Sequence, residues 1–182
     1  GFRAPTLTQL NPFFGNPNFQ PETSASYDFG LEKRFGADGF VRATLFQTEI
    51  DDQIFFDGTS TRCASTFGCF ETGDFEGKGI ELSGQVAIDE YLTLTGAYTY
   101  TDAEQNSAAA ARVPEQDVAL GLDAQITPRL DAQVTLQHIA GVTPSPFAPP
   151  ANKVKDYTLV HVNAGYNVTD SVQAVLRVEN LF

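Results

Sequence analysis

Methionine and tryptophan are absent from the 182 residues, and only two cysteines, Cys63 and Cys69, occur. Without Met there is no initiator residue, and no basic-then-apolar leader opens the chain. A chain starting Gly1-Phe2-Arg3 and stopping at Asn180-Leu181-Phe182 is therefore expected to be a piece of a longer protein. No run of about 18 apolar residues is present, which excludes an ordinary transmembrane helix. Cations are scarce: 11 Lys and Arg face 23 Asp and Glu, a formal net charge of −12. That balance repels phosphate backbones and gives anionic lipid no basic face, so no nucleic-acid partner is expected. The hydrophobic fraction is still 42%, which excludes a disordered polyanion.

The two cysteines lie in CASTFGC. Two thiols so close in a short loop read most simply as a disulfide, which needs an oxidising compartment. A two-cysteine metal clip is the competing reading, but no His or further Cys stands nearby to complete four ligands.

What the chain has in abundance is alternation. From 25 to 35, Ala25, Tyr27, Phe29, Leu31 and Phe35 fall on one face and Ser26, Asp28, Glu32 and Arg34 on the other; period two means strand. Similar runs cover about 76–88, 91–103, 115–126, 130–136, 157–168 and 171–182, and a long run with poorly sorted faces covers 40–56. Tight turns are expected near 36–39, 89–90, 127–129 and 168–170. Long connections are expected at 4–24, 57–73, 104–114 and 141–156. Ala108–Ala111 suggests one helical turn within the third connection. The fourth, with Pro144, Pro146, Pro149 and Pro150, cannot be a paired strand.

Short and long connections alternate strictly, so one rim carries turns and the other carries loops, as in outer-membrane barrels. The fold class predicted is an all-β, antiparallel up-and-down transmembrane β-barrel, of which this chain supplies about eight consecutive strands. The apolar set would face lipid and the polar set the lumen, because lipid tolerates strands only where every backbone group is paired. Aromatics near strand ends (Phe35, Phe40, Tyr91, Tyr157, Tyr166) suggest interfacial girdles. A soluble sandwich would reverse the faces, and loop asymmetry favours the membrane.

No catalytic constellation emerges, and no enzyme or cofactor is predicted. Asp51 and Asp52, adjacent on a strand, should point to opposite faces and so cannot pair. His138 and His161 sit on separate strands without a ligand set. Asn167-Val168-Thr169 fits a glycosylation acceptor but falls in an expected tight turn. Asp51, Asp52, Asp57, Glu71, Asp74 and Glu76 gather around the second loop without fixed calcium-ligand spacing, so no metal site is assigned. Loop aromatics Phe13, Phe14, Phe67, Phe70 and Phe147 are the candidate ligand contacts, with loop-on-loop packing the alternative.

Five stretches then carry a resemblance. The opening FRAPTLTQL, GNPNFQPE and SYDFGLEKRF, followed by LFQTEIDDQIFF (45–56), FEGKGIELSGQVAI (75–88), YLTLTGAYTYTDAE (91–104) and LRVENLF (176–182), resembles the barrel of TonB-dependent outer-membrane receptors, especially the cobalamin-transporter-like branch. The resemblance implies residues 1–182 are a partial barrel domain of a Gram-negative outer membrane, lacking plug, TonB box, earlier strands and final hairpin. It implies import of a scarce chelate, an iron–siderophore or cobalamin, driven through a TonB complex that contacts parts outside this chain, with outer-membrane lipid as the surrounding partner. The family's calcium-binding loops map onto no residue here. A small structural or passive barrel ending at Phe182, or a soluble all-β binding domain, is the alternative.

Overall fold

A computed structural model describes residues 1–144 and 154–181. Pro146, Phe147, Pro149, Pro150 and Phe182 lie outside the described residues. Ten strands run as β1 (Phe2–Arg3), β2 (Glu22–Phe35), β3 (Gly39–Asp57), β4 (Cys69–Ala87), β5 (Leu92–Gln105), β6 (Ala108–Ala109), β7 (Gln116–Thr127), β8 (Leu130–Ala140), β9 (Tyr157–Thr169) and β10 (Val172–Val178). Every pairing is antiparallel, in the order β1-β2-β3-β4-β5-β7-β8-β9-β10, with β6 against β5. The eight long strands are those expected, seven from clean alternation and β3 from the long run with poorly sorted faces. They form one layer, and no pairing among the described residues joins β10 back to β1 or β2.

Register sorts the faces. Phe29, Leu45, Ile80 and Tyr100 form one transverse row, and Leu31, Ala43, Leu82, Tyr98 and Val118 the next. Val41, Gly84, Gly96, Leu120, Leu136 and Val160 form the row below these, followed by Val86, Leu94, Leu122, Val134 and Val162. Leu92, Ala124, Ala132, Ala164 and Leu176 lie nearest the short turns. Five rows two residues apart, on strands tilted about 40°, span about 21 Å, close to the apolar belt of a membrane barrel. Beyond the top row the same face turns polar: Tyr27, Gln47, Lys78 and Asp102, then Glu49, Glu76 and Glu104.

The opposite face carries the hydrophilic set. Glu32 accepts from Arg34 Nε at 2.7 Å and Arg42 Nε at 2.9 Å. Gln137 donates to Asp117 at 3.2 Å, Gln133 donates to Asp123 at 2.8 Å, and Asn163 donates to Gln133 at 3.3 Å. All but the Glu32–Arg34 bond run across strands, so the lumen wall is stitched by polar side chains while the outer wall is greasy. Among the described residues only Ile54, Cys69, Ala110 and Ile139 are buried apolar side chains, whereas Phe29, Leu31 and Leu45 stand mostly exposed and Leu120 about half exposed. A sandwich would cover that apolar face; nothing in this sheet does.

Some expectations change. Phe40 pairs with Arg34 and Gln85, and Tyr157 with Ile139 in the row of Asp117, so both sit on the lumen side and leave the proposed girdle. The reason is period two: a strand-end position does not by itself choose a face. Phe35, Tyr91 and Tyr166 do stand exposed at the short-turn end. Ala108–Ala111 forms no helical turn. Asn106 and Ser107, at φ 53° and 62°, turn the chain back so that Ala108 and Ala109 pair with Gln105 and Glu104; two successive positive φ values make the tight hairpin turn that Asn favours. Asn167 lies in β9 opposite Gln173 rather than in a turn. β10 stops at Val178, short of the strand expected to 182: Asn180 adopts φ 53°, and the Leu181 amide rejoins the Val160 carbonyl at 3.0 Å.

Candidate functional site

The long-loop rim is where the strands outgrow an apolar belt. β3 and β4 are each 19 residues long, about twice what a tilted crossing needs. The second connection, expected over 57–73, therefore shrinks to 58–68, and its flanks continue the hairpin. Asp57 faces Cys69, Phe56 faces Phe70, and Ile54 faces Thr72.

A β-bulge breaks the alternation inside β3. Ile50 pairs with Phe75 and Gln53 with Gly73, leaving Asp51 and Asp52 opposite the single Asp74, with Asp52 at φ 54°. The expectation that Asp51 and Asp52 point to opposite faces assumed an unbroken strand, and a bulge suspends that rule. It also explains the unsorted faces of 40–56. Below it Leu45 shares the outer face with Ile80, while above it the register puts Phe56 with Phe70 on that same side. The Ile54 amide donates to Glu22 Oε1 at 2.9 Å, and the same oxygen accepts from Arg3. Glu22 is only 7% exposed, so one carboxylate ties β1, β2 and the extension of β3 together.

The opening loop is ordered by its own residues. Thr6 and Gln9 cap each other: the Thr6 amide donates to Gln9 Oε1 at 2.7 Å, the Gln9 amide to Thr6 Oγ1 at 3.4 Å. This is the reciprocal capping box of Thr-x-x-Gln, legible in the sequence though not extracted from it. Two Asn-Pro turns follow. Asn11 Oδ1 accepts from the Phe13 amide at 2.8 Å and Asn16 Oδ1 from the Asn18 amide at 2.9 Å. Gly15 packs so tightly that a Cβ there would sit 1.9 Å from the Gln9 carbonyl oxygen.

The cysteines are disulfide-bonded, Cα to Cα 5.8 Å. Around them two of the acidic side chains, Glu71 and Asp57, are already occupied. Glu71 accepts from Ser60 and, at 3.0 Å, from Arg62. Asp57 accepts from the Thr59 hydroxyl at 2.7 Å and amide at 2.8 Å, and these bonds hold its carboxyl below the usual aspartate range. No group of three metal-ligating side chains gathers among the described residues.

The predicted aromatics divide. Phe14 stacks edge-on against Phe13 with centroids 4.7 Å apart, and its carbonyl accepts from the Phe70 amide at 2.6 Å. Phe70 in turn meets Phe56 edge-on at 5.4 Å. Three of the five are thus brought into one continuous contact, loop on loop. Phe67 stands apart, 78% exposed, and Phe13 is about half exposed. Phe147 lies outside the described residues. Neither histidine enters the rim: His138 bonds Thr158 Oγ1 at 2.8 Å, and His161 Nδ1 accepts from the Asn180 amide at 3.3 Å.

A one-layer sheet with an apolar outer band, a polar inner wall, turns on one rim and loops on the other is a wall of a membrane barrel. The family described as TonB dependent receptor-like, beta-barrel, matches residues 1–181, and the chain belongs to that family. It is 28% identical over 217 residues to the iron-regulated outer membrane virulence protein of Vibrio cholerae serotype O1, covering 100% of this chain and 32% of that protein. It is 30% identical over 199 residues to the vitamin B12 transporter BtuB of Photobacterium profundum, covering 100% and 30%. Among solved structures, copper transporter OprC superposes with a TM-score of 0.77 at 20% identity, over 100% of this chain and 30% of that one. The ferric enterobactin receptor PfeA of Pseudomonas aeruginosa gives 0.76 at 18%, over 100% and 32%. The chain spans about a third of each. Family membership places the sheet in the outer membrane of a Gram-negative cell and makes the long-loop rim extracellular.

Proposed function

We propose that residues 1–182 are consecutive barrel strands of an outer-membrane active-transport receptor whose plug, TonB-contacting segment and remaining strands lie outside this stretch. The observation that carries this reading is the face sorting: five apolar rows about 21 Å deep on one side of the sheet, with a hydrogen-bonded polar wall on the other. Such a sheet is a lipid-facing wall around a hydrophilic lumen, and coverage of about a third of each relative fits one sector of a large barrel.

The cargo class follows the relatives: a scarce chelate such as an iron–siderophore, or cobalamin, bound at the extracellular rim and released inward with TonB-derived energy. Nothing in this sector suggests catalysis; binding and gating are its chemistry. Phe13 and Phe67, exposed at the loop tips, are assigned to ligand contact. Phe14 and Phe70 are assigned to supporting the rim, because their contacts are internal.

The test is uptake by cells carrying the full-length gene as sole receptor. Growth on a ferric siderophore or cobalamin that disappears on gene deletion, and on deletion of the TonB system, is the expected result. Growth unchanged by both deletions across a panel of chelates would reject active transport and favour a passive barrel.

A further inference from the structure

The opening loop, residues 4–21, joins β1 to β2, yet its far end is held by β4. Sheet order puts β3 between β2 and β4, so the loop crosses the β3–β4 extension to deliver the Phe14 carbonyl to the Phe70 amide. Its base is fixed separately, where Glu22 accepts from both Arg3 and the Ile54 amide. The loop is a flap with a pinned base and a tip latched to Phe70.

That latch sits one residue from Cys69. Cys69 is the first residue of β4 and is fully buried, 0% exposed. Opposite it, Asp57 ends β3. The bond to Cys63 closes the 63–69 loop and ties the first residue of β4 back to the middle of the 58–68 connection. The flanking Gly68, at φ 108°, packs against the end of β3, where a Cβ would sit 2.4 Å from the Asp57 carbonyl oxygen.

We propose that the disulfide-closed tip of the β3–β4 hairpin is the docking platform of residues 4–21, so that the redox state of Cys63 and Cys69 sets whether the opening loop is held across the hairpin or released. With the bond intact, Cys69 and Phe70 stay paired to β3 and present the Phe70 amide to Phe14. With it reduced, the strand end frays, the acceptor loses its partner, and the loop keeps only its base. The coupling is reciprocal: undocking the loop removes a tie from the start of β4 and so speeds reduction of the bond next to it. This inference is independent of which ligand the receptor carries.

The experiment uses the full-length receptor in detergent micelles and hydrogen exchange read by mass spectrometry. Dithiothreitol supplies two electrons and two protons, closing to its own cyclic disulfide and leaving two cysteine thiols. After reduction, amides in 7–16 should exchange at least tenfold faster and recover on reoxidation, while 23–35 are unchanged. Faster exchange confined to 58–72, with 4–21 as before, overturns the proposal. Gly15→Ala approaches from the other side, since its Cβ meets the Gln9 carbonyl without touching the cysteines. The disulfide of this variant should be reduced several-fold faster than in the parent; equal rates, or resistance in both, would also overturn it. C63S/C69S, checked for assembly by its heat-modifiable gel mobility, should reproduce the reduced state.

Discussion

At the scale of single residues, the rim depends on a few polar groups that have no exposed alternative partner. Glu22 is one of them. Glu22→Ala leaves the Ile54 amide unpaired in a buried position, a loss of about 1–3 kcal/mol, whereas Glu22→Gln keeps an acceptor oxygen and should cost less. Denaturant midpoints of the detergent-folded protein measure this; equal midpoints for Glu22→Ala and parent would refute the assignment. Asp57 gives a pH prediction. Its carboxyl is held below its ordinary value of 3.8 by the Thr59 hydroxyl and amide. A depressed carboxylate adds stability that is full above 3.8 and fades as pH falls through the lower folded value. Protection of the Thr59 amide should therefore fall below pH 3.8 in the parent and be pH-independent there in Asp57→Asn. The capping box Thr6–Gln9 and the repeated Asn-Pro turns were legible as local chemistry. The partner of Glu22 was not, because Ile54 lies 32 residues away and is brought there by a bulge.

At the scale of strands, the two faces predict opposite tolerance to charge. Leu120 lies in the central apolar row, while Gln137, one residue from Leu136, faces the lumen beside Asp117. Leu120→Arg should destabilise the barrel by about 2–4 kcal/mol, the cost of Arg at the bilayer midplane. Gln137→Arg keeps a donor for Asp117 and should cost much less. Unfolding of both in the same lipid decides it, and equal losses would mean the faces are misassigned. Period-two patterning made seven of the eight long strands readable, since their apolar positions stay in phase. It failed in β3 because the bulge at Asp51–Asp52 reverses the phase midway, and in the second loop because residues 69–75 (Cys-Phe-Glu-Thr-Gly-Asp-Phe) mix polar, Gly and aromatic residues without a long period-two run yet pair along the hairpin. There neighbouring backbone, not side-chain pattern, makes the strand.

At the scale of the whole molecule, the sheet has two lateral edges and a bare apolar face. Isolated from the rest of a barrel, β2 and β10 offer unpaired backbone, and Phe29, Leu31, Leu45 and Leu120 face water. Such a sheet should self-associate. Light scattering of residues 1–182 refolded without detergent should show aggregates, and a monodisperse monomer in water would contradict the lipid-facing assignment. Its relatives answer the same problem at full length: about two-thirds of each lies beyond the region matched here.

The number and order of the long strands, the segregation of turns and loops, the family and the cysteine pair were all readable from the sequence, because each is written in neighbours or in period two. Alternation alone does not choose the face that meets lipid, since it is identical for a membrane wall and a sandwich; the segregation of long and short connections is what points the apolar set outward. The three-dimensional sheet bears that assignment out, by forming one layer whose apolar rows are covered by nothing among the described residues. It also decided what the loop aromatics do. Whether Phe14 grips a ligand or Phe70 depends on a crossing over β3, and no local pattern encodes a contact between residues 56 positions apart.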